Sequence, residues 1–431
     1  METILIALVL IVLALYGKPL FAVISAIALL AFHADGTDLS AVIIELYRMA
    51  QQPVLLAIPL FTFAGYMLAE SKAPQRLINL FRAFFGWVPG GLAVVTLVSY
   101  AIFTAFTGAS GVTIIALGGL LFPILIKERY PENYSLGVLT SAGDIGVMFP
   151  PSLPIIVYGL ISGVSIDDLF LAGILPGILM IAMLSGYSVW TVRHQNIPRI
   201  PFRLDAAITA LREAAFEVPL PFVILIGIYG GFFTVTDAAA VTAFYVLVVE
   251  VFIYRDIHPI KQLPGVMRES MVLVGGILVI LGAALGMASY MIDAEIPNAI
   301  LGFMKQYITS KWVFLIMLNL FLLVVGALMD IFSAILVVVP LIIPIASDFG
   351  VDPVHLGIIF LANLGIGYTT PPVGINLFIA SFRFKQPVTR LYAVCIPFVL
   401  ILLLALLVIT YWPDLSLFLV RMFSTTYNAG G

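Results

Sequence analysis

Charged residues are scarce in this chain: Asp, Glu, Lys and Arg make up 10% of its 431 residues, whereas 62% are hydrophobic. Soluble domains carry about 25% charged residues, so this composition excludes an ordinary water-facing surface. The mean hydropathy is +1.16, and the apolar blocks are long enough to cross a bilayer, which takes roughly 20 residues per helix. Because they do not alternate with a period of two, a barrel is disfavoured. The sequence therefore predicts an all-α integral membrane protein that crosses the bilayer many times.

The sequence lacks the residues that several kinds of chemistry require. The single cysteine, Cys395, excludes an internal disulfide and is predicted to be a small buried hydrophobe. No GK[ST] loop is present, which excludes ATP hydrolysis by that route. No Ser/His/Asp or Cys/His set and no basic nucleic-acid patch is recognisable, so we expect neither an enzyme nor a nucleic-acid partner. We also expect no structural metal and no cofactor, because the four histidines share no spacing: His33, His194, His258 and His355.

Ten membrane spans are predicted from the apolar blocks. The first block begins with Glu2 rather than a basic segment and lacks a small-residue cleavage site, so we interpret it as a retained span and not a signal peptide. Two mixed polar and apolar segments, 38–50 and 257–268, are predicted to be helices on the membrane surface. The spans are 3–16, 19–33, 53–69, 135–161, 169–192, 218–233, 238–254, 271–292, 354–381 and 391–411.

Two further apolar stretches, 90–125 and 312–346, are too long for one ordinary span. Basic residues flank the first on both sides, so the positive-inside rule predicts a hairpin that enters from the cytoplasm and turns back. Acidic residues flank the second, although Lys305 and Lys311 dilute this signal, and predict a hairpin from the outside. This topology places 16 of the 20 Lys and Arg residues on the cytoplasmic side: Lys18, Lys72, Arg76, Arg82, Lys127, Arg129, Arg193, Arg199, Arg203, Arg212, Arg255, Lys261, Arg268, Arg383, Lys385 and Arg390.

The two halves of the sequence correspond after a shift of 221 residues, which places Pro150-Pro151 on Pro371-Pro372 and Gly146 on Gly367. Each half holds five spans, an odd number, so the second half must be inverted relative to the first. Inverted repeats with broken helices are typical of alternating-access transporters, whose sites lie at the midplane. The predicted units are scaffold spans and an arm helix at 1–86, a hairpin and broken helix at 87–192, a cytoplasmic linker at 193–217, a second scaffold at 218–310, a second hairpin and broken helix at 311–390, and a last span with its tail at 391–431.

The two hairpin turns and the two broken spans supply the candidate site. Proline removes a backbone donor and unwinds the preceding turn, and unwound carbonyls with hydroxyl and amide oxygens suit sodium. The N-terminus of each half-helix can hold a carboxylate through backbone N–H groups, which matters because no basic residue lies well inside a predicted span. The candidates are Thr107, Gly108, Ser110 and Gly111; Ser141, Gly143, Asp144, Pro150, Pro151 and Ser152; Asp330 and Ser333; and Asn363, Gly365, Thr369, Thr370, Pro371 and Pro372.

Each of these signals also has a structural interpretation. Gly108 and Ser110 would suit a small-residue packing face, and proline pairs alone can mark simple kinks. Asp144 and Asp330 are stronger functional candidates, because inserting a carboxylate at the bilayer centre costs roughly 2.5–3.5 kcal/mol of free energy even on the milder insertion scales. Asp330, at a hairpin tip, could bind sodium or cap a helix. Asp144 could ligate a cation, carry a proton or pair with a neighbour.

These motifs resemble the large membrane subunit of the tripartite ATP-independent periplasmic (TRAP) transporters. The resemblance covers nearly the whole chain, from Ala57-Ile58-Pro59-Leu60-Phe61 to the last span. Its most specific pieces are Thr107-Gly108-Ala109-Ser110-Gly111, Gly146-Val147-Met148-Phe149-Pro150-Pro151-Ser152, Leu171-Ala172-Gly173-Ile174-Leu175-Pro176-Gly177 and Gly367-Tyr368-Thr369-Thr370-Pro371-Pro372-Val373-Gly374.

The resemblance implies an elevator-type transporter of the bacterial inner membrane that imports organic acids such as C4-dicarboxylates or sialic acids with sodium. It also implies two partners, a small four-helix membrane subunit and a periplasmic substrate-binding protein. The family's sodium sites, carried over, fall on Ser110, Gly111, Ser141 and Gly143 in one half, and on Asp330, Ser333, Asn363 and Gly365 in the other. This chain departs from the family at Asp144, where a small or hydroxyl residue is usual, so its sodium stoichiometry stays open.

Two other readings remain at this point. A stand-alone sodium–dicarboxylate symporter has a related inverted-repeat architecture and would need neither partner. An intramembrane enzyme or a channel belongs to another class: an enzyme would need convergent acid–base or metal residues, and a channel would not need paired hairpins. Neither of those two explains the repeat.

Overall fold

The computed structural model describes residues 20–424 apart from 37, 89, 194, 196–200 and 309. The predicted first span, 3–16, lies outside the described residues. The described chain consists of helices and their connections, which confirms the predicted all-α class. Eight helices are long and apolar enough to cross a membrane, or nine if the bent pair Glu132–Met148 and Leu153–Ser162 counts as one span.

From residue 20 onward, the described part of the first half forms nine α-helices and two short 3-10 helices. Proline or glycine residues lie at most of the junctions, where they end one helix and begin the next. The α-helices are α1 (Leu20–Ala34), α2 (Ser40–Ala50), α3 (Ala57–Glu70), α4 (Ala73–Phe85), α5 (Gly91–Thr107), α6 (Ser110–Lys127), α7 (Glu132–Ser141), α8 (Leu153–Ser162) and α9 (Ile166–Val192); the 3-10 helices are Pro53–Leu56 and Ile145–Met148.

The described residues of the second half form eleven α-helices, and a π-helical turn, Val249–Ile253, extends the helix Val235–Val248. The predicted linker contains the helix α10, and the C-terminal tail contains α20, neither of which the hydropathy pattern predicts. The α-helices are α10 (Leu204–Glu213), α11 (Pro219–Tyr229), α12 (Val235–Val248), α13 (Leu263–Asp293), α14 (Ile296–Lys305), α15 (Lys311–Leu328), α16 (Ile331–Asp348), α17 (Pro353–Gly367), α18 (Ile375–Phe384), α19 (Val388–Tyr411) and α20 (Pro413–Phe423).

The helix boundaries repeat with the period found in the sequence. A shift of 221 residues carries α6 onto α16 at both ends and carries the first residue of α7 onto the first residue of α17. The helices of each half therefore follow one another in the predicted register. The inversion of the second half, and the division into scaffold and transport units, stay predictions.

The predicted surface helix 257–268 is wrong, because its second half is continuous with the next span. In the first half, α2 is separated from α3 by the 3-10 helix that Pro53 begins. In the second half, 263–268 belong to α13, a single helix of 31 residues that continues to Asp293, and 257–262 form turns. Val274 stands at the position that corresponds to Pro53, so nothing removes a backbone donor there and the helix runs on.

The predicted span 218–233 is also shorter than expected. Its helix, α11, has 11 residues and ends before Gly230-Gly231. Eleven helical residues reach about 16 Å, roughly half the hydrocarbon thickness. The two glycines explain the early end, because Gly231 adopts a φ of +73°, which favours glycine.

Contacts between loops agree with the predicted sides of the membrane. Among segments predicted to be cytoplasmic, Arg82 pairs with Glu128 at 2.5 Å and Arg390 pairs with Glu132 at 3.0 Å. On the predicted outer side, the Thr236 hydroxyl donates to the Pro53 carbonyl at 3.2 Å. Loops that the charge rule assigns to one side therefore meet in the fold.

A buried charge cluster holds α4 against the second half. The Arg76 guanidinium donates to Asp256 at 2.5 Å, to both oxygens of Glu250 at 3.1 Å, and to Glu217. Its central carbon also lies 3.9 Å from the centre of the Tyr254 ring. Burial raises the pKa of Glu217, and the neighbouring Arg76 opposes that rise. One guanidinium thus compensates three carboxylates that come from three separate segments.

Close backbone packing joins the second hairpin to the second broken helix. A Cβ built on Gly367 would lie 2.6 Å from the Gly326 Cα and 2.8 Å from the Ala327 nitrogen. A Cβ built on Gly326 would lie 2.9 Å from the Leu364 Cα. Real carbon contacts are longer than this, so only glycine at both positions permits the observed separation of α15 and α17.

We expect Arg76→Ala to lower the free energy of unfolding by about 3–5 kcal/mol, because it leaves the buried Glu217 and Glu250 without a cation and leaves Asp256 only the exposed Lys72, at 3.6 Å. The loss should shrink as the pH falls, since protonation removes the uncompensated charge. Thermal unfolding in detergent at several pH values measures both effects. The control is Arg82→Ala, whose partner Glu128 is partly exposed, and it should cost at most ~1 kcal/mol. Equal losses for the two variants would contradict the account.

We expect Gly367→Ala to destabilise the protein by about 1–3 kcal/mol, because the added methyl group must push α17 away from the hairpin. The control is Gly186→Ala on α9, where nothing lies within 4 Å of the added carbon and where helix propensity favours alanine by up to about 1 kcal/mol. The measurement is the unfolding temperature of both variants. A Gly367→Ala protein as stable as the control would overturn the packing argument.

Candidate functional site

The first hairpin turns at Gly108, which ends α5 with a φ of +65°. A Cβ at this position would overlap the side chain of Leu153, the first residue of α8, so the hairpin tip touches the start of the second half of the broken helix. Thr107 is fully buried, and its hydroxyl oxygen lies 3.3 Å from the Thr113 hydroxyl oxygen. No side chain caps the N-terminus of α6 or of α8. Both helix ends therefore keep backbone N–H groups available to a ligand.

The unwound segment of the first broken helix is buried except at Phe149, which is half-buried. The 3-10 turn Ile145–Met148 follows Asp144, and the cis pair Pro150-Pro151 precedes α8. Ser152 is buried, and its hydroxyl has no hydrogen-bond partner in the described protein. This segment packs inside the fold rather than at its surface.

A chain of hydrogen bonds connects the first hairpin, the first broken helix and α18. The Ser110 hydroxyl donates to Asn376 Oδ1 at 2.8 Å, and Asn376 Nδ2 donates to Asp144 Oδ2 at 2.8 Å. Gly143 lies beside it, since a Cβ there would be 3.1 Å from the Ser110 Cβ. Gly365 faces the same carboxylate from the second half, because its Cβ would lie 3.0 Å from the Asp144 Cβ. The repeats therefore meet at Asp144.

The Asp144 carboxylate is only partly satisfied. Asp144 is 3% exposed, and its Oδ1 atom has no hydrogen-bond partner in the described protein. Asp144 also forms no ion pair with a basic side chain within the described residues. A buried carboxylate without compensation is expensive, so this arrangement favours the binding of a positive charge next to Oδ1.

In the second hairpin, a side chain caps the N-terminus of the second helix, α16. Asp330 Oδ1 accepts from the backbone N–H groups of Phe332 at 3.1 Å and Ser333 at 3.0 Å, and the Ser333 hydroxyl donates to Oδ2. The N–H of Ile331 donates to the Tyr368 hydroxyl. Asp330 is thus the N-cap of α16, the structural alternative left open for it, and its sodium role stays a prediction.

The second broken helix differs from the first in its exposure. Thr369 and Thr370 both donate to the Ile366 carbonyl, at 3.0 and 2.8 Å. The cis pair Pro371-Pro372 is exposed, unlike its buried counterpart in the first half. The Gly374 N–H donates to the Ala327 carbonyl at 3.1 Å, so this segment touches its hairpin as α8 touches the first one.

Asn363 belongs to a separate polar group. Its Nδ2 donates to Asn319 Oδ1 at 2.7 Å and to the Ile359 carbonyl at 2.8 Å, and Asn319 Nδ2 donates to the Thr410 hydroxyl at 3.1 Å. The Asn363 Oδ1 atom and the Ser141 hydroxyl are buried without a hydrogen-bond partner in the described protein. The Asn363 amide nitrogen therefore bonds toward α15 and not toward Asp144.

The fold brings some predicted site residues together and separates others. Ser110, Gly143, Asp144 and Gly365 form one cluster, and Gly111 lies next to it on α6, against Ile379. Asp330 and Ser333 bond to each other in the second hairpin. Asn376 completes the cluster and was not among the predicted site residues, because it lies beyond the proline pair in the next helix. The available signal was an amide side chain in the first turn of α18, between the apolar residues Ile375 and Leu377.

Comparison with known proteins assigns the family. Residues 4–415 match the family model described as "Tripartite ATP-independent periplasmic transporter, DctM component". The chain is 34% identical to the C4-dicarboxylate TRAP transporter large permease protein DctM of Pseudomonas aeruginosa, over 91% of both chains. It is 36% identical to the isethionate TRAP transporter permease protein DctMQ of Oleidesulfovibrio alaskensis, over 84% of this chain and 58% of that one.

Further similarities extend to other substrates and to a solved fold. The chain is 31% identical to the ectoine/5-hydroxyectoine TRAP transporter large permease protein UehC of Ruegeria pomeroyi, over 96% of this chain and 97% of that one. The crystal structure of the YdaH transporter of Alcanivorax borkumensis has a TM-score of 0.61 at 15% identity, over 87% of this chain and 88% of that one, which supports the fold alone. The chain belongs to the TRAP transporter family, as a large permease component of the DctM type.

Proposed function

We propose that this large permease imports a small organic anion, such as a C4-dicarboxylate, a sialic acid or a similar carboxylate, by symport with sodium. The observation that carries the proposal is the buried Asp144 carboxylate, with one oxygen unpartnered and with Ser110 and Asn376 oxygens beside it. The substrates named for the relatives include C4-dicarboxylates and isethionate. Ectoine is named for another relative, so the size and charge of the cargo need a direct test.

Sodium suits this cluster because the atoms that could coordinate the ion are all oxygens. A hydroxyl, an amide oxygen and a carboxylate oxygen come from three different elements, α6, α18 and the first broken helix. A bound sodium ion would compensate the Asp144 charge and link these elements. In this proposal sodium therefore orders the site before the anion binds, which couples the two.

The anion would bind at the uncapped helix ends. The N-termini of α6 and α8 carry no side-chain cap and meet where Gly108 touches Leu153. The N-terminus of α16 is occupied by the Asp330 carboxylate, which would repel an anion. Thr107 and Ser152 offer hydroxyls close in sequence to these two uncapped ends, and Thr369 and Thr370 precede the N-terminus of α18, which also carries no side-chain cap. Helix ends of this kind hold carboxylates without an arginine.

The family description as a tripartite transporter supports two partners for this chain, a small membrane subunit and a periplasmic binding protein that delivers the substrate. It also supports a place in the bacterial inner membrane. In this proposal the hairpins and broken helices, 87–192 and 311–390, move as an elevator against the remaining helices. A stand-alone symporter would need neither partner.

We expect uptake of a labelled organic acid into liposomes to require both an inward sodium gradient and the binding protein. The proteoliposomes would contain this chain with its small partner subunit. Uptake that needs sodium but not the binding protein would instead support the stand-alone symporter. Uptake that ignores the sodium gradient would refute the proposed coupling.

The same assay tests Asp144 directly. Asp144→Asn removes a ligand charge, and we expect the sodium concentration for half-maximal uptake to rise roughly 10- to 100-fold. Asp414→Asn is the matched control, because Asp414 pairs with Arg421 on the surface, where its side chain is 62% exposed. An unchanged sodium requirement in Asp144→Asn would remove Asp144 from the site.

A further inference from the structure

A cavity distinct from the Asp144 cluster lies beside the C-terminal end of α18. It has a volume of about 570 Å³ and is lined by Ile115, Phe378, Ile379, Phe382, Arg383 and Lys385. Its walls are apolar, and its two polar residues are both cations. None of its lining residues is a candidate residue of the transport site, although Ile379 packs against Gly111.

The two cations are not compensated by the protein. Within the part of the chain that the structure describes, neither Arg383 nor Lys385 forms an ion pair. The third basic residue of the same segment, Arg390, bonds to Glu132 at 3.0 Å. The cavity therefore presents two positive charges to its surroundings, which favours an anionic ligand.

A glycine on the first hairpin makes room for the Arg383 guanidinium. A Cβ built on Gly119 would overlap the guanidinium group, so the side chain lies directly across α6 where that helix has no side chain. The same face holds the buried Tyr100 hydroxyl, which has no hydrogen-bond partner in the described protein and which lies 2.9 Å from a Cβ built on Gly118. The guanidinium therefore lies on α6 only because Gly119 has no side chain.

The predicted topology places the cavity close to the depth of the lipid headgroups. Arg383 follows the first residue of α18 by eight positions, which is about 12 Å along a helix axis, and half of the hydrocarbon thickness is roughly 15 Å. The positive-inside rule places this end of α18 on the cytoplasmic side. Phe382 is 90% exposed and Ile115 is 52% exposed, and apolar side chains at this depth face acyl chains more readily than water.

We propose that Arg383 and Lys385 bind the phosphate of an anionic phospholipid from the cytoplasmic leaflet, whose acyl chain lies on Ile115, Phe378 and Phe382. The charge of the cavity matches the anionic lipids of that leaflet, and its apolar wall matches their chains. The bound lipid would bridge α6 and α18, one element from each repeat. This inference does not depend on the transported substrate or on the coupling ion.

The test compares lipid binding by two variants of equal charge. The purified chain with its small partner subunit is mixed with phosphatidylglycerol or phosphatidylcholine, and bound lipid is counted by native mass spectrometry. Arg383→Gln with Lys385→Gln should weaken phosphatidylglycerol binding by about fivefold per cation, or roughly 25-fold in total. The control, Arg255→Gln with Lys261→Gln, removes two exposed cytoplasmic charges elsewhere and should bind as the unmodified protein does.

A third variant separates charge from position. Gly119→Ala keeps both cations but displaces the guanidinium, so it should also weaken phosphatidylglycerol binding while the protein still elutes as one species. Equal binding of the two lipids, or unchanged binding in the Arg383→Gln, Lys385→Gln variant, would overturn the proposal. So would displacement of the lipid by millimolar inorganic phosphate or succinate, which would assign the cations to a soluble anion.

Discussion

The contact between the two repeats at Asp144 depends on residues without side chains. Gly365 approaches the Asp144 Cβ from the second half, and Gly143 leaves room for Ser110 and Asn376 beside it. These approaches bring three oxygen-bearing side chains from separate helices together in a buried place. A larger residue at either glycine would press these elements apart and would disfavour the hydrogen bonds from Ser110 through Asn376 to Asp144.

The distribution of charge gives the two halves different roles within a repeated architecture. In the second hairpin, Asp330 caps its own helix, whereas the first hairpin begins α6 without a cap and lies near a carboxylate that the protein does not fully satisfy. On the predicted cytoplasmic side, Arg76 compensates three acids between segments, while Arg383 and Lys385 remain available. Buried charges are expensive, so each cluster fixes the elements around it.

Much of this fold follows from patterns that the sequence displays directly. Low charge, long apolar blocks and paired prolines at a shift of 221 residues predict a repeated helical membrane protein, and the bounds of α6 and α16 match that shift. The fused helix α13 was not predicted, because hydropathy cannot distinguish a bend from a continuous helix. The absence of a proline at Val274 carries that information. The short helix α11 was missed for a related reason, since hydropathy ignores glycine.

The site was harder to predict than the fold, because side-chain partners depend on tertiary contacts. Motif spacing identified Ser110, Gly143, Asp144 and Gly365, which do meet. The sites carried over from the family placed Asn363 and Gly365 with Asp330 and Ser333, whereas the Asn363 amide nitrogen bonds to Asn319 on another helix and Gly365 lies against Asp144. Asn376 was missed, although it holds the cluster together, since its partners lie 232 and 266 residues away in sequence. No local pattern reports such pairs.

The most direct test of the account is the binding of labelled sodium to the purified transporter at equilibrium, measured without substrate. The account predicts that Asp144→Asn binds one sodium ion fewer per chain than the unmodified protein, or binds it roughly 10- to 100-fold more weakly. Asp414→Asn should bind as the unmodified protein does. Equal sodium binding by the Asp144→Asn and unmodified proteins would contradict the claim that a sodium ion compensates this carboxylate.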